Sequence, residues 1–128
     1  MSGNRERKID PDLKQVFRDL KKIMGVYLEV FDVYPDEVEL SAHPTEEQLE
    51  KIRNSIKRLG YSYVNTEEKL DYFIGSEEDY LINETYKRGG KTLGLVYMRY
   101  DFPLGKSFQV RAIYVDYGFL FLKPIKLF

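Results

Sequence analysis

The 128-residue sequence contains no cysteine and no tryptophan, and its single histidine is His43. Without cysteine the chain has no disulfide, no thiolate nucleophile and no cysteine-based zinc site. A single domain of this length buries roughly two-thirds of the surface that its unfolded chain exposes, so it needs no covalent or metal cross-link. The sequence therefore predicts one domain over residues 10–128, preceded by a flexible N-terminal segment over residues 1–9.

Long hydrophobic runs are also missing. No apolar stretch approaches the ~20 residues that span a bilayer, and the N-terminal "MSGNRERKID" is too polar for a signal peptide. The formal net charge of -1 argues against a generic attraction to nucleic acids or membranes. We therefore expect a soluble cytoplasmic protein with no membrane partner. Abundant Lys and Glu beside the missing Cys and Trp is typical of hyperthermophile proteins.

Two stretches have the apolar period of an amphipathic helix. The first, "DPDLKQVFRDLKKIMG", begins with Asp10 as N-cap and ends at Gly25. The second, "TEEQLEKIRNSIKRLG", begins with a capping box of Thr45 and Gln48 and ends at Gly60. Both patterns predict helices with one buried stripe and one solvated face.

The remaining segments favour strands. The stretches "VYLEVFDVY" and "EVELSAH" flank a Pro35-Asp36 turn. In residues 61–78, "YSYVNT" favours a strand, whereas "EEKLDYFIGSEED" is compatible with a strand and an acidic turn or with a short helix, and we predict strands. From residue 79 onward, aromatic and β-branched residues interrupted by glycines are typical of an antiparallel meander. The sequence thus predicts an α+β fold, namely an antiparallel sheet with a C-terminal β-meander and two α-helices packed on one face.

Two tripeptides resemble the end of a nucleotide-binding P-loop. They lie in "GGKTLG" (89–94) and in "PLGKSF" (103–108). A P-loop needs another glycine five positions earlier so that its amides surround the phosphates, and those positions hold Thr85 and Tyr100. The tripeptides therefore predict basic hairpin turns, with Gly89-Gly90 as a two-residue loop and "FPLGK" as a five-residue loop.

These hairpins predict which side chains share a face, because side chains alternate along a strand. We expect the helices to cover an almost entirely apolar face: Leu81, Val96, Met98, Tyr100, Phe108, Val110 and Ala112. The opposite, outer face then carries tyrosines beside arginines, with further cations at the hairpin ends. These candidate binding residues are Tyr80, Tyr86, Tyr97, Arg99, Gln109, Arg111, Lys87, Arg88, Lys91 and Lys106.

A basic, tyrosine-rich sheet face predicts a non-catalytic binding module. Such a face stacks unpaired bases while its cations neutralise phosphates, so single-stranded nucleic acid is one candidate ligand. Tyr and Arg are also enriched at protein interfaces, so the alternative is a protein-interaction or homodimerisation domain that uses the same face. A third interpretation is that residues 119–128 cover this face.

A Mg²⁺-dependent nuclease is a less favoured alternative. Four residues superficially resemble the PD-(D/E)xK nuclease arrangement: Pro35, Asp36, Glu67 and Lys69. Those enzymes need their carboxylates and lysine on adjoining strands, whereas Asp36 lies in a predicted turn. Ser41 and His43 share a strand face, but no positioned acid accompanies them. We therefore predict no catalytic residue, no metal site and no cofactor.

Overall fold

The computed structural model describes residues 9–74 and 77–117. Its helices are α1 (Pro11–Met24) and α2 (Glu46–Arg58). Its strands are β1 (Leu28–Tyr34), β2 (Glu37–Ala42), β3 (Ser62–Ile74), β4 (Glu77–Arg88), β5 (Lys91–Phe102) and β6 (Gly105–Asp116). They form one antiparallel sheet in the order β1-β2-β6-β5-β4-β3, so β1 and β3 are its edges. The predicted α+β fold and C-terminal meander are confirmed.

Both helices begin and end where the local sequence predicts. Asp10 caps α1, and its Oδ1 accepts hydrogen bonds of 2.9 and 3.1 Å from two backbone amides of the first turn. Thr45 and Gln48 form the reciprocal capping box of α2. These bonds satisfy amides that have no partner within the helix. Within the described residues, neither helix has the length and apolarity that a membrane span requires.

The core lies between the two helices and one face of the sheet, which we call the helix face. The buried helix residues are those of the predicted stripes: Leu13, Val16, Leu20, Met24, Leu49, Ile52 and Ile56. The buried residues of the helix face are Val38, Leu40, Ala42, Ile82, Tyr86, Leu93, Leu95, Tyr97, Phe108, Val110, Ile113 and Val115. We call the opposite side of the sheet the open face. Ile9 also packs against the core, one residue before the predicted start of the domain.

The β4–β5 hairpin has the predicted register. Tyr86 lies opposite Leu93, and the strands turn at Gly89-Gly90. Gly89 has a φ of 60°, a left-handed conformation that glycine adopts without steric cost. The Gly-Lys tripeptide at this position is therefore a hairpin turn, as predicted.

The β5–β6 hairpin departs from the predicted register. Leu95 lies opposite Ile113 as expected, but a β-bulge at Arg111 then shifts the pairing by one residue. The strands turn at the two residues Pro103-Leu104, so the predicted five-residue loop is wrong. A shift of one residue exchanges the two faces of a strand. Phe108 and Val110 therefore share the helix face with Tyr97, whereas the predicted register placed them on the same face as Val96.

The predicted choice of the covered face is also wrong. The other predicted helix-facing residues lie on the open face: Leu81, Val96, Met98, Tyr100 and Ala112. The helices instead cover the face of Tyr86 and Tyr97, which includes Leu93 and Leu95. With Phe108 and Val110, that face carries most of the buried apolar side chains of the sheet. Burial of apolar area is the main favourable contribution to folding.

Candidate interaction surfaces

Two of the predicted binding tyrosines are core residues. Tyr86 is 1% exposed and Tyr97 is 4% exposed. Their hydroxyls donate hydrogen bonds of 2.7 and 2.5 Å to the carboxylate of Glu84. Arg53 of α2 donates to the same carboxylate through Nε and Nη2. These rings lie beneath α2, so the prediction that they are accessible is wrong.

The buried carboxylate of Glu84 is the centre of this network. Burial raises its pKa, but the hydrogen bonds from Arg53, Tyr97 and Tyr86 outweigh burial and lower it overall. Burial and the bonds to Glu84 both raise the pKa of the two tyrosines. Because Arg53, Tyr86 and Tyr97 all bind the carboxylate of Glu84, the network connects α2 to β4 and β5.

The cations beside the Gly89-Gly90 turn are paired with α1. Lys91 Nζ lies 2.6 Å from Asp10 Oδ2 and 2.9 Å from Asp12 Oδ2. Arg88 Nη2 lies 2.6 Å from Asp12 Oδ2. Burial lowers the pKa of Lys91, but its hydrogen bonds to the two carboxylates outweigh burial and raise it. The positive charge predicted for this hairpin end is therefore largely neutralised.

The other candidate residues do not meet on one surface. Arg99 lies over the ring of Tyr80 at 4.8 Å and is paired with Asp101 and Glu68. Lys87 and Lys106 are exposed near opposite ends of the long strands. Nine residues of β5 separate their levels, which is about 30 Å at the rise of a strand. The predicted continuous basic face is therefore not formed.

Gln109 and Arg111 lie on the open face, in a hydrogen-bonded row. Arg111 Nε donates to Gln109 Oε1 at 3.0 Å, and Tyr100 donates to the same oxygen at 2.7 Å. Gln109 Nε2 donates to Ser41 Oγ at 3.0 Å. Among the described residues, the register places three cations on this face: Lys69, Lys87 and Arg111. It places eight acidic residues there: Glu29, Asp32, Glu37, Glu39, Glu67, Glu77, Asp79 and Asp116.

A different surface, at the β1 edge, exposes large apolar side chains. We call residues 26–34 the β1 edge surface. Its most exposed large apolar residues are Val26 at 87%, Tyr27 at 77% and Phe31 at 62%. Val30, Val33 and Tyr34 are also exposed. Among the described residues only β2 pairs with β1, so the outer backbone edge of β1 has no neighbouring strand.

The β1 edge surface lies in an acidic part of the chain. Between Lys22 and Lys51 there is no lysine or arginine. The same interval holds eight acidic residues: Glu29, Asp32, Asp36, Glu37, Glu39, Glu46, Glu47 and Glu50. The hydroxyl of Tyr34 donates a 2.7 Å bond to Asp32, and this bond raises the pKa of Tyr34 to about 12. The interval without cations was the available sequence signal for this surface.

The nuclease-like residues lie far apart. Asp36 is in the turn between β1 and β2, whereas Glu67 and Lys69 are in β3. Strands β6, β5 and β4 separate β2 from β3, a distance of about 19 Å at the usual strand spacing. Within residues 9–74 and 77–117, no group of three or more acidic or histidine side chains could hold a metal ion.

Comparison of the chain with protein-family models, with curated protein sequences and with solved structures gave no match. Functional inference therefore depends on the surfaces described above. The predicted covering of a sheet face by residues 119–128 lies outside the described residues.

Proposed function

We propose that this chain is a non-catalytic binding module for a protein partner, and that it binds through the β1 edge surface. The observation that supports this function is the exposure of Val26 and Tyr27 just before β1 and of Phe31 within it, beside an outer edge that pairs with no strand among the described residues. Contiguous exposed apolar side chains are typical of interaction sites. A free strand edge offers backbone donors and acceptors to an added strand.

The charge around β1 favours a protein over single-stranded nucleic acid. A surface that stacks bases also needs cations to neutralise the phosphates. The exposed aromatic rings of Tyr27 and Phe31 lie between Lys22 and Lys51, where all charged side chains are acidic. Nucleic acid binding stays a prediction, and its remaining support is limited to separate exposed cations such as Arg111.

The opposite edge of the sheet supports an interaction less well. Strand β3 carries two irregularities in its pairing, at Val64 and Asp71. It also carries charges of both signs in "EEK" at 67–69. Bulges and charged side chains, lysine above all, are the features by which exposed edges avoid pairing with other chains. Strand β1 has one irregularity and no lysine.

A photo-cross-linking experiment tests this function. Phe31→p-benzoylphenylalanine places the reactive group on the β1 edge, and Tyr72→p-benzoylphenylalanine places it on β3 at similar exposure. In extracts of the producing cells, we expect a discrete cross-linked protein from position 31 and none from position 72. Val30→Lys should remove the adduct, because a charged side chain disfavours an apolar interface. An adduct at both positions, or at neither, would contradict the proposal.

A nucleic acid titration separates the two binding functions. Fluorescent single-stranded DNA and RNA are titrated against the wild type and the Arg111→Ala variant at low salt. We expect no binding. Tight binding that weakens steeply with salt and with Arg111→Ala would instead support the nucleic acid function, because released counterions make phosphate contacts salt-dependent.

A further inference from the structure

The two sides of β1 differ in chemistry. On the helix-face side, Val30 lies beside Leu40 and Val33 lies beside Val38. An added strand would continue the alternation of side chains that β1 and β2 share. Its side chains on this side would therefore extend an apolar surface.

On the open-face side, two of the three paired side chains of β1 are acidic, and two of their three neighbours on β2 are acidic. Glu29 lies beside Ser41, and Asp32 lies beside Glu39. Tyr34 lies beside Glu37. The sequence between Lys22 and Lys51 contains no lysine or arginine. Acidic side chains on an added strand would face like charge, which is unfavourable, whereas basic side chains would form cross-strand ion pairs.

A second copy of the chain is a poor occupant for the same reason. Pairing β1 with β1 of another copy would bring Glu29 and Asp32 close to the same residues of that copy. The segment has no cation with which to offset this repulsion. The charge therefore favours a different protein.

We infer that the partner contributes an extended segment in which apolar and basic side chains alternate, and that this segment pairs with the free edge of β1. This inference rests on the proposed function and specifies the chemistry of the partner. The apolar residues of the segment lie beside Val30 and Val33, and its Lys or Arg residues lie beside Glu29 and Asp32. Backbone pairing supplies part of the affinity, and the two faces set its orientation.

Three synthetic ten-residue peptides test the inference on the full chain. Each alternates valine with a second residue, which is lysine, threonine or glutamate. Hydrogen exchange of residues 28–34 reports pairing at β1, and fluorescence titration reports affinity. We expect the lysine peptide to protect β1 and to bind about tenfold more tightly than the threonine peptide, since the two exposed ion pairs at Glu29 and Asp32 add. Its advantage should shrink at high salt.

Matched variants identify the acidic groups. Glu29→Gln with Asp32→Asn should weaken the lysine peptide about two- to thirtyfold, the range for two exposed ion pairs, and leave the threonine peptide unchanged. Glu67→Gln with Asp71→Asn on β3 removes the same charge from the other edge and should change neither affinity. Equal weakening by both pairs of variants would show only general charge attraction and would overturn the inference.

Other outcomes separate this inference from the proposed function. Equal binding of the lysine and threonine peptides at β1 would overturn the basic character of the partner, while edge docking itself would stand. No protection of β1 by any peptide would overturn the inference. A protein cross-linked at position 31 would then still support the proposed function. A cross-linked adduct with a second copy, or with residues 118–128 of the same chain, would also overturn the inference.

Discussion

Strands β5 and β1 belong to the same sheet and both consist largely of aliphatic and aromatic residues, yet their burial is opposite. Residues 93–98 of β5 are all buried, whereas every residue of β1 after Leu28 is exposed. β5 has a strand on each side and the helices cover its Leu93, Leu95 and Tyr97, whereas β1 has one neighbouring strand and lies at the edge of the described sheet. Apolar side chains of a similar kind thus stabilise the fold in the centre of the sheet, whereas at its edge they are exposed.

This difference predicts that substitutions in the centre reduce stability and that substitutions in β1 reduce binding. The following changes test the part of that statement that concerns stability. They run from the largest expected loss of stability to the smallest.

Removing Arg53 should cause the largest loss. Arg53→Ala leaves the buried carboxylate of Glu84 without its cation, and breaking a buried pair in this way costs about 3–5 kcal/mol of unfolding free energy. Chemical denaturation measures the change. Arg53→Met, which keeps most of the aliphatic side chain, separates lost packing from lost charge. A cost below that of a typical surface substitution would contradict this prediction, because it would mean that Glu84 is accessible to water.

The same network predicts a pH dependence. The hydrogen bonds of Glu84 outweigh burial and hold its folded pKa below its ordinary value of 4.5. A carboxylate of this kind stabilises the fold above its unfolded pKa, and the contribution is lost as the pH falls through the folded value. The stability difference between wild type and Glu84→Gln should therefore be constant above about pH 4.5 and shrink below it. Denaturation midpoints measured between pH 2 and pH 7 check this, and a gap that widened in acid would contradict it.

The centre of the sheet also has a close contact on its open face. A Cβ atom built on Gly94 would overlap the ring of Tyr114 on the neighbouring strand. Gly94→Ala should therefore cost about 1–3 kcal/mol, the usual range for overpacking. Combining it with Tyr114→Ala should cost less than the sum of the two single changes, since the overlap disappears. Additive costs would mean that the ring moves aside freely.

The substitution with the smallest expected loss of stability is the most direct test of the difference between the centre of the sheet and β1. Val110→Thr places a hydroxyl in the core and should cost about 1–3 kcal/mol. Val30→Thr makes the same substitution on the exposed edge and should change stability by less than about 0.5 kcal/mol. Thermal denaturation of both variants measures the pair. Equal losses would show that Val30 in β1 is covered as well as Val110 in β6.

Local sequence patterns were sufficient to predict the two helices and the β4–β5 hairpin. The caps at Asp10 and Thr45 and the Gly89-Gly90 turn depend on residues within a few positions of each other, so both helices and the β4–β5 register were predictable. Alternation of side chains also predicted that Tyr86 and Tyr97 share a face. Alternation could not show which face the helices cover, because side chains repeat every two residues on the buried face and on the exposed face alike.

Tertiary structure decided the rest. The bulge at Arg111 follows from how β6 fits between β5 and β2, and it moved Phe108 to the helix face. The sequence predicted that Lys91 is an exposed binding cation, but in the fold it is paired with Asp10 at the start of α1. The exposure of Phe31 follows from the position of β1 at the edge of the sheet. Each outcome depends on contacts between residues distant in the chain, which a pattern of near neighbours does not contain.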